Sequence, residues 1–174
     1  MKNISQYFSD GAKNVIPYKW EEFAVEKPLR FDTNTLPFPP PNMSIFFQKM
    51  ANDCPINEYT DPTYNRLKEL IADYEKVDSS MITITNSGDE AIDVLGKTFL
   101  NPKDYFLVTP PTYEIFTSQS VINKGLCLEI PLSGNKFELN VDKIISESKL
   151  KKVKIIFLCN PNNPTASIIP NAVI

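Results

Sequence analysis

The chain has 174 residues, with 18 basic side chains against 21 acidic ones, a formal charge of −3 and a pI near 5.1. That length can bury a sizeable core, the mild acidity leaves no footprint for nucleic acid or an anionic membrane, and no apolar run approaches the roughly 20 residues of a bilayer crossing. Histidine is absent, which removes Ser–His and Cys–His nucleophile pairs and most catalytic zinc sites.

The opening "MKNISQYFSDGAKN" lacks the apolar core of a signal peptide, so a cytoplasmic location is expected. Residues 1–29 read as an arm with one short helical turn. "RFDTNTLPFPPPN" (30–42) is extended backbone, since each proline fixes φ and removes a donor. "MSIFFQKMAN" (43–52) reads as a short helix, and a further helix is expected from Pro62, where Tyr64, Leu67, Leu70, Ile71 and Tyr74 recur at helical spacing.

From residue 81 strands and helices alternate. "MITITN" (81–86), "DYFLVTPP" (104–111), "LCLEIPL" (126–132) and "KIIFLCNP" (154–161) read as strands. Helices are expected over 88–100, 112–124 and 140–150. This alternation predicts an α/β fold: a three-layer α/β/α arrangement, a largely parallel sheet and right-handed crossovers. The expected division is an N-terminal arm and small-domain segment over 1–55 and the first part of a larger domain over 56–174. Cys54, Cys127 and Cys159 are widely spaced and odd in number, which suits buried free thiols better than a metal site or a disulfide framework. Gly88 and Gly96 do not form a dinucleotide-binding fingerprint, and no P-loop is present.

In an open α/β sheet, ligands gather outside the carboxyl ends of the strands, and the unusual residues fall there. "NSGDEA" (86–91) would open a helix directly after a strand. Its unpaired N–H groups and positive dipole end suit a phosphate, and Gly88 admits an anion close to the backbone. Equally, Ser87 and Glu90 have the spacing of a plain capping box. "TPPTYEIF" (109–116) sets Tyr113 at the first turn of a helix, where its ring could stack on a flat heterocycle or pack on the core. In "NPNNPT" (160–165) an asparagine before proline is held extended, with its amide aimed at a ligand oxygen or closing a surface turn.

In this order, "NSGDEAID", "PPTYEIF" and "NPNNPT" resemble the first half of the fold-type-I pyridoxal-phosphate aminotransferases, in particular the histidinol-phosphate branch. "FDTNTLPFPPP" and "INEYTDPTYNRLKELIADY" extend the resemblance over about residues 30–170. It implies an incomplete large domain of that fold, preceded by an N-terminal arm. Pyridoxal 5′-phosphate would be the cofactor, an amino acid and a 2-oxo acid the substrates, and the full-length protein a homodimer. Backbone amides of Gly88, Asp89 and Glu90 would take the phosphate, Tyr113 would stack on the pyridine ring, and Asn163 would bond the phenolic oxygen. Tyr59 matches a tyrosine that reaches the neighbouring subunit's cofactor, and Asn34 resembles a position near the substrate.

Two departures accompany the resemblance. Ala166 stands where the family motif carries glycine; if that turn needs positive φ, alanine costs roughly 1 kcal/mol. The family's pyridine-nitrogen aspartate, Schiff-base lysine and substrate arginines lie downstream of its asparagine–proline motif, and after Asn163 this chain has no Asp, Tyr, Lys or Arg. Lys97, mid-helix, and Lys151, Lys152 and Lys154, before the last strand, do not fall where they could substitute. "SIIPNAVI" at the end reads as the start of a helix. The expectation is an N-terminal portion of an aminotransferase with no transaminase activity of its own. The alternatives are an amino-acid-phosphate decarboxylase of the same fold and a non-catalytic truncated paralogue serving as a structural partner.

Overall fold

The computed structural model describes residues 4–16, 36–54 and 57–174. The chain forms two compact units, one of residues 1–18 with 85–174, the other of residues 19–84. In the second unit α2 (Met43–Asp53) and α3 (Asn65–Glu75) are followed by a 3-10 turn, Ser79–Met81. Helix α3 begins at Asn65, later than Pro62, because Tyr64 takes a left-handed conformation at its N-cap. The expected strand "MITITN" does not form. Met81 ends the 3-10 turn, which Asp78 caps by accepting from the Ser80 N–H at 2.8 Å, and residues 82–86 pair with no strand.

The first unit begins with a 3-10 turn (Ile4–Tyr7) and α1 (Asp10–Asn14), capped by Ser9. After α4 (Ser87–Phe99) come β1 (Tyr105–Val108), α5 (Ile115–Ile122), β2 (Leu126–Glu129), α6 (Val141–Lys151) and β3 (Ile155–Ile156). The sheet has the order β2-β1-β3 and both pairings are parallel, with Phe106 opposite Cys127 and Ile155. The last strand is shorter than its sequence suggests. Beyond it the backbone turns to fold "NPNNPT" into a loop, and residues 167–174 hold turns and no helix.

Strand β1 lies between the two others, and its apolar run explains why. Phe106, Leu107 and Val108 are at most 1% exposed, a burial that contributes about 1.5–3 kcal/mol for each side chain. Alternation along the strand divides the core in two. Phe106 and Val108 join Ile92 and Leu100 of the α4 region, Phe157, and the α5 residues Ile115 and Phe116. Leu107 turns the other way, against Ile130 and Ile144 of α6. Helices therefore cover both faces, giving the three layers expected. Phe116 stacks on Phe157 at 4.7 Å between centroids, and Phe157 meets Phe106 edge-on. Of the three cysteines, Cys54 is exposed while Cys127 and Cys159 are half-buried, so the expectation of buried thiols fails.

The packing between α5, β2 and β1 is close at Gly125. A Cβ there would meet Phe106 Cδ1 at 2.9 Å, Leu100 Cδ1 at 3.0 Å and the Ser120 carbonyl oxygen at 3.1 Å. Gly125→Ala is therefore expected to cost about 1–3 kcal/mol through overpacking, read as a lower urea midpoint with an unchanged slope.

Helices α4 and α5 are joined by a polar pair. Asn123 donates from Nδ2 to Asp93 Oδ1 at 2.9 Å, and Lys97 bonds Asp93 Oδ2. Lys97 and then Asn123 hold the Asp93 carboxyl below its usual value. A depressed folded-state pKa adds stability that is present above the unfolded value and lost as pH falls through the folded one. Asp93→Asn should flatten the acid limb of a stability-against-pH curve and leave its slope near pH 7 unchanged.

Ala166, in the loop after β3, has φ of +55°. Its N–H donates to the Asn162 carbonyl at 2.7 Å and so fixes the turn. A left-handed alanine costs roughly 1–2 kcal/mol, part of which glycine would give back as chain entropy. Ala166→Gly should stabilise the chain by about 1 kcal/mol in urea titration.

Candidate cofactor site

Three corners of the first unit carry the residues singled out from sequence. The first is the start of α4, which is entered from irregular chain instead of a strand. Ser87 takes φ of +70°, its N–H donates to the Thr85 carbonyl at 2.9 Å, and the Thr85 hydroxyl donates to the Ser87 carbonyl at 2.9 Å. The N-cap is Asn86, whose side chain makes no capping bond. The expected capping box survives only in half: Glu90 accepts the Asn86 N–H, and Ser87 caps nothing. The first-turn N–H groups are thus left without a side-chain acceptor. Gly88 faces open space, with nothing within 4 Å of where a Cβ would stand.

The second corner follows β1. Tyr113 precedes α5 by two residues and does not lie in its first turn. Its ring, half-buried, meets Phe116 edge-on at 5.6 Å. The Tyr113 hydroxyl donates to Asp89 Oδ1 at 2.7 Å, which brings this corner to the N-terminus of α4 across 24 residues of chain.

The third corner follows β3, and its three asparagines separate by what they bond. Asn160 grips Ile169, donating to its carbonyl at 3.3 Å and accepting its N–H at 3.0 Å. Asn162 is 5% exposed and donates from Nδ2 to the Pro111 carbonyl at 2.9 Å and to Thr165 Oγ1 at 2.7 Å. Asn163 is exposed; its backbone N–H donates to Cys159 Sγ at 3.3 Å, while its amide side chain has no hydrogen bond among the described residues. Only the third asparagine keeps an amide free for another molecule. The Asn162–Pro111 bond brings its corner to the loop of Tyr113.

Asp89 and Tyr113 are thereby joined directly, and Asn162 ties the loop that carries Asn163 to the loop that carries Tyr113. Tyr59 belongs to the second unit, where its ring is fully exposed, so it is no part of a core. Asn34 lies outside the described residues. Asn162 and Cys159 were not singled out for this site.

Asp89 and Glu90 both lie in the first turn of α4, where carboxylates complement the helix dipole. Each is already engaged, Asp89 with the Tyr113 hydroxyl and Glu90 with the Asn86 N–H. Their charges oppose an incoming anion, while the uncapped amides favour one. A phosphate would be bound by backbone donors here; among the described residues no cationic side chain pairs with those carboxylates.

Among the described residues no helix is long and apolar enough to cross a membrane, and no cluster of side chains could hold a metal ion. A family model for aminotransferases of class I and II matches residues 26–174. A histidinol-phosphate aminotransferase of Desulfitobacterium hafniense strain Y51 is 32% identical over 156 residues, covering 87% of this chain and 43% of that protein. Histidinol-phosphate aminotransferase from Sinorhizobium meliloti, solved in complex with pyridoxal-5′-phosphate, matches 77% of this chain and 35% of its own at a TM-score of 0.69. Its 18% identity speaks for the fold alone. The same holds for an alanine aminotransferase from Pyrococcus furiosus, at a TM-score of 0.67 and 22% identity over 77% of this chain and 36% of its own. The chain thus spans less than half the length of each of these relatives. With most of its residues matched by the family model, and with the same parallel sheet and helices, the chain belongs to the aminotransferase class I and II family.

Proposed function

We propose that the protein is a pyridoxal-phosphate-dependent aminotransferase that moves an amino group from an amino donor, an amino acid or an amino-alcohol phosphate such as histidinol phosphate, to a 2-oxo acid. In this reading the 174 residues form the seat for the cofactor's phosphate and ring. The observation that carries it is the hydrogen bond from Tyr113 to Asp89, which sets an aromatic ring beside an uncapped helix N-terminus. When bound, the cofactor supplies the electron sink that amino-group transfer requires.

The residues fit that group. The Gly88, Asp89 and Glu90 amides hold the phosphate, aided by the α4 dipole, and Gly88 leaves room for it. Tyr113 offers its ring to the pyridine, its orientation fixed by Asp89 and Phe116. Asn163 donates its amide to the phenolic oxygen, at little entropic cost because Pro161 and Pro164 stiffen the loop. No lysine here is assigned to covalent attachment. Lys97 is bound to Asp93, and Lys151 lies 5.7 Å over the ring of Tyr105, at the amino edge of the sheet. Tyr59 and Asn34 keep the roles the family implies, toward a partner subunit's cofactor and toward substrate, in a homodimer.

Calorimetric titration with 4′-deoxypyridoxine 5′-phosphate, which has no aldehyde to react with surface lysines, tests the reading. Saturable binding is expected, with none for the phosphate-free analogue. Asn163→Ala should weaken it up to about tenfold, the loss of one hydrogen bond. Equal heats with and without the phosphate group would refute the assignment.

A further inference from the structure

Resting on that reading, we infer that Asn162 is the positioning residue of the cofactor seat, its buried amide setting the spacing between the Tyr113 corner and the Asn163 corner. Three observations lead to it. Asn162 is almost fully buried in a loop whose neighbours Pro161 and Asn163 are exposed. Its Nδ2 group spends one bond within its own loop, on Thr165, and one across 51 residues of chain, on the Pro111 carbonyl. Its main chain is engaged as well, donating to the Ser167 carbonyl at 2.8 Å and accepting from the Ala166 N–H.

Pro111 stands two residues before Tyr113, and Asn163 directly follows Asn162. The side chain therefore joins the ring-bearing corner to the amide-bearing one, and the prolines at 110, 111, 161 and 164 leave little slack to absorb a shift at either end. No other natural side chain has the same reach with two amide hydrogens. Aspartate has the shape and no N–H donor, and glutamine is one methylene longer. Asn162 does not itself offer a group to the ligand, so its effect passes through Tyr113 and Asn163.

Hydrogen exchange and ligand binding on the whole chain test this together. The Phe116 and Thr117 amides donate to the Tyr113 and Glu114 carbonyls and report on the ring corner. The Ile130 amide, bonded to the Val108 carbonyl, reports on the core. Asn162→Ala and Asn162→Asp should each speed exchange at Phe116 and Thr117 by about tenfold or more, with Ile130 unchanged. Affinity for 4′-deoxypyridoxine phosphate should fall about tenfold while that for inorganic phosphate, which needs only α4, stays the same. Thr165→Val, which spares the Pro111 bond, should open the Ala166 and Ser167 amides alone. Unaltered exchange at Phe116 and Thr117 in the Asn162 variants would overturn the inference. So would equal loosening of that corner by Thr165→Val, or equal loss of both ligands. Should the unaltered chain bind neither ligand, the functional reading fails and the exchange measurements still decide the role of Asn162.

Discussion

The first unit depends on one strand that is buried on both sides. Phe106 and Val108 fill one face of β1 and Leu107 the other, so the helices of both layers are held by the same four residues of backbone. Where β1 ends, its direction is already fixed by that packing. Thr109, only 2% exposed, extends the buried run, and the two prolines that follow carry the chain out toward Tyr113. A site built at such an end inherits the rigidity of the core without belonging to it. That is the physical sense of the rule that α/β ligands gather at carboxyl ends of strands.

Much of this was legible because β1 is a continuous apolar run, the mark of a central parallel strand, and because α4 and α6 bear helical periodicity. "MITITN" misled for a related reason. Alternating β-branched residues signal a surface that suits a sheet, but a strand also needs a partner, and partners are invisible in a local window. Here the turn capped by Asp78 takes the first residue of the stretch and no strand takes the rest.

The candidate site was legible as a set of corners and not as a set of contacts. Gly88, Tyr113 and Asn163 stand out through unusual chemistry at strand or helix ends. Asn162 does not, because its importance lies in being buried, and burial of a polar residue among prolines has no periodic signature. The capping-box spacing of Ser87 and Glu90 was likewise ambiguous. The observed turn moves the cap to Asn86 and leaves Glu90 as half of a reciprocal pair.

Helix ends were the least readable, and the reason is compositional. The chain has only five glycines, yet several of its turns require positive φ. Lysine fills that place at the C-caps of α3 and α6, with Lys76 at +59° and Lys152 at +52°, and Lys103 and Lys124 adopt the same conformation before β1 and β2. A left-handed non-glycine residue costs about 1–2 kcal/mol. A cation beside the negative end of a helix dipole returns typically 0.3–1 kcal/mol of that, so lysine offsets in charge part of what it loses in sterics. The same substitution of charge for conformational freedom is not open to Ala166, which has no side-chain group to set against its strain. That turn is held instead by the backbone bond from the Ala166 N–H to the Asn162 carbonyl.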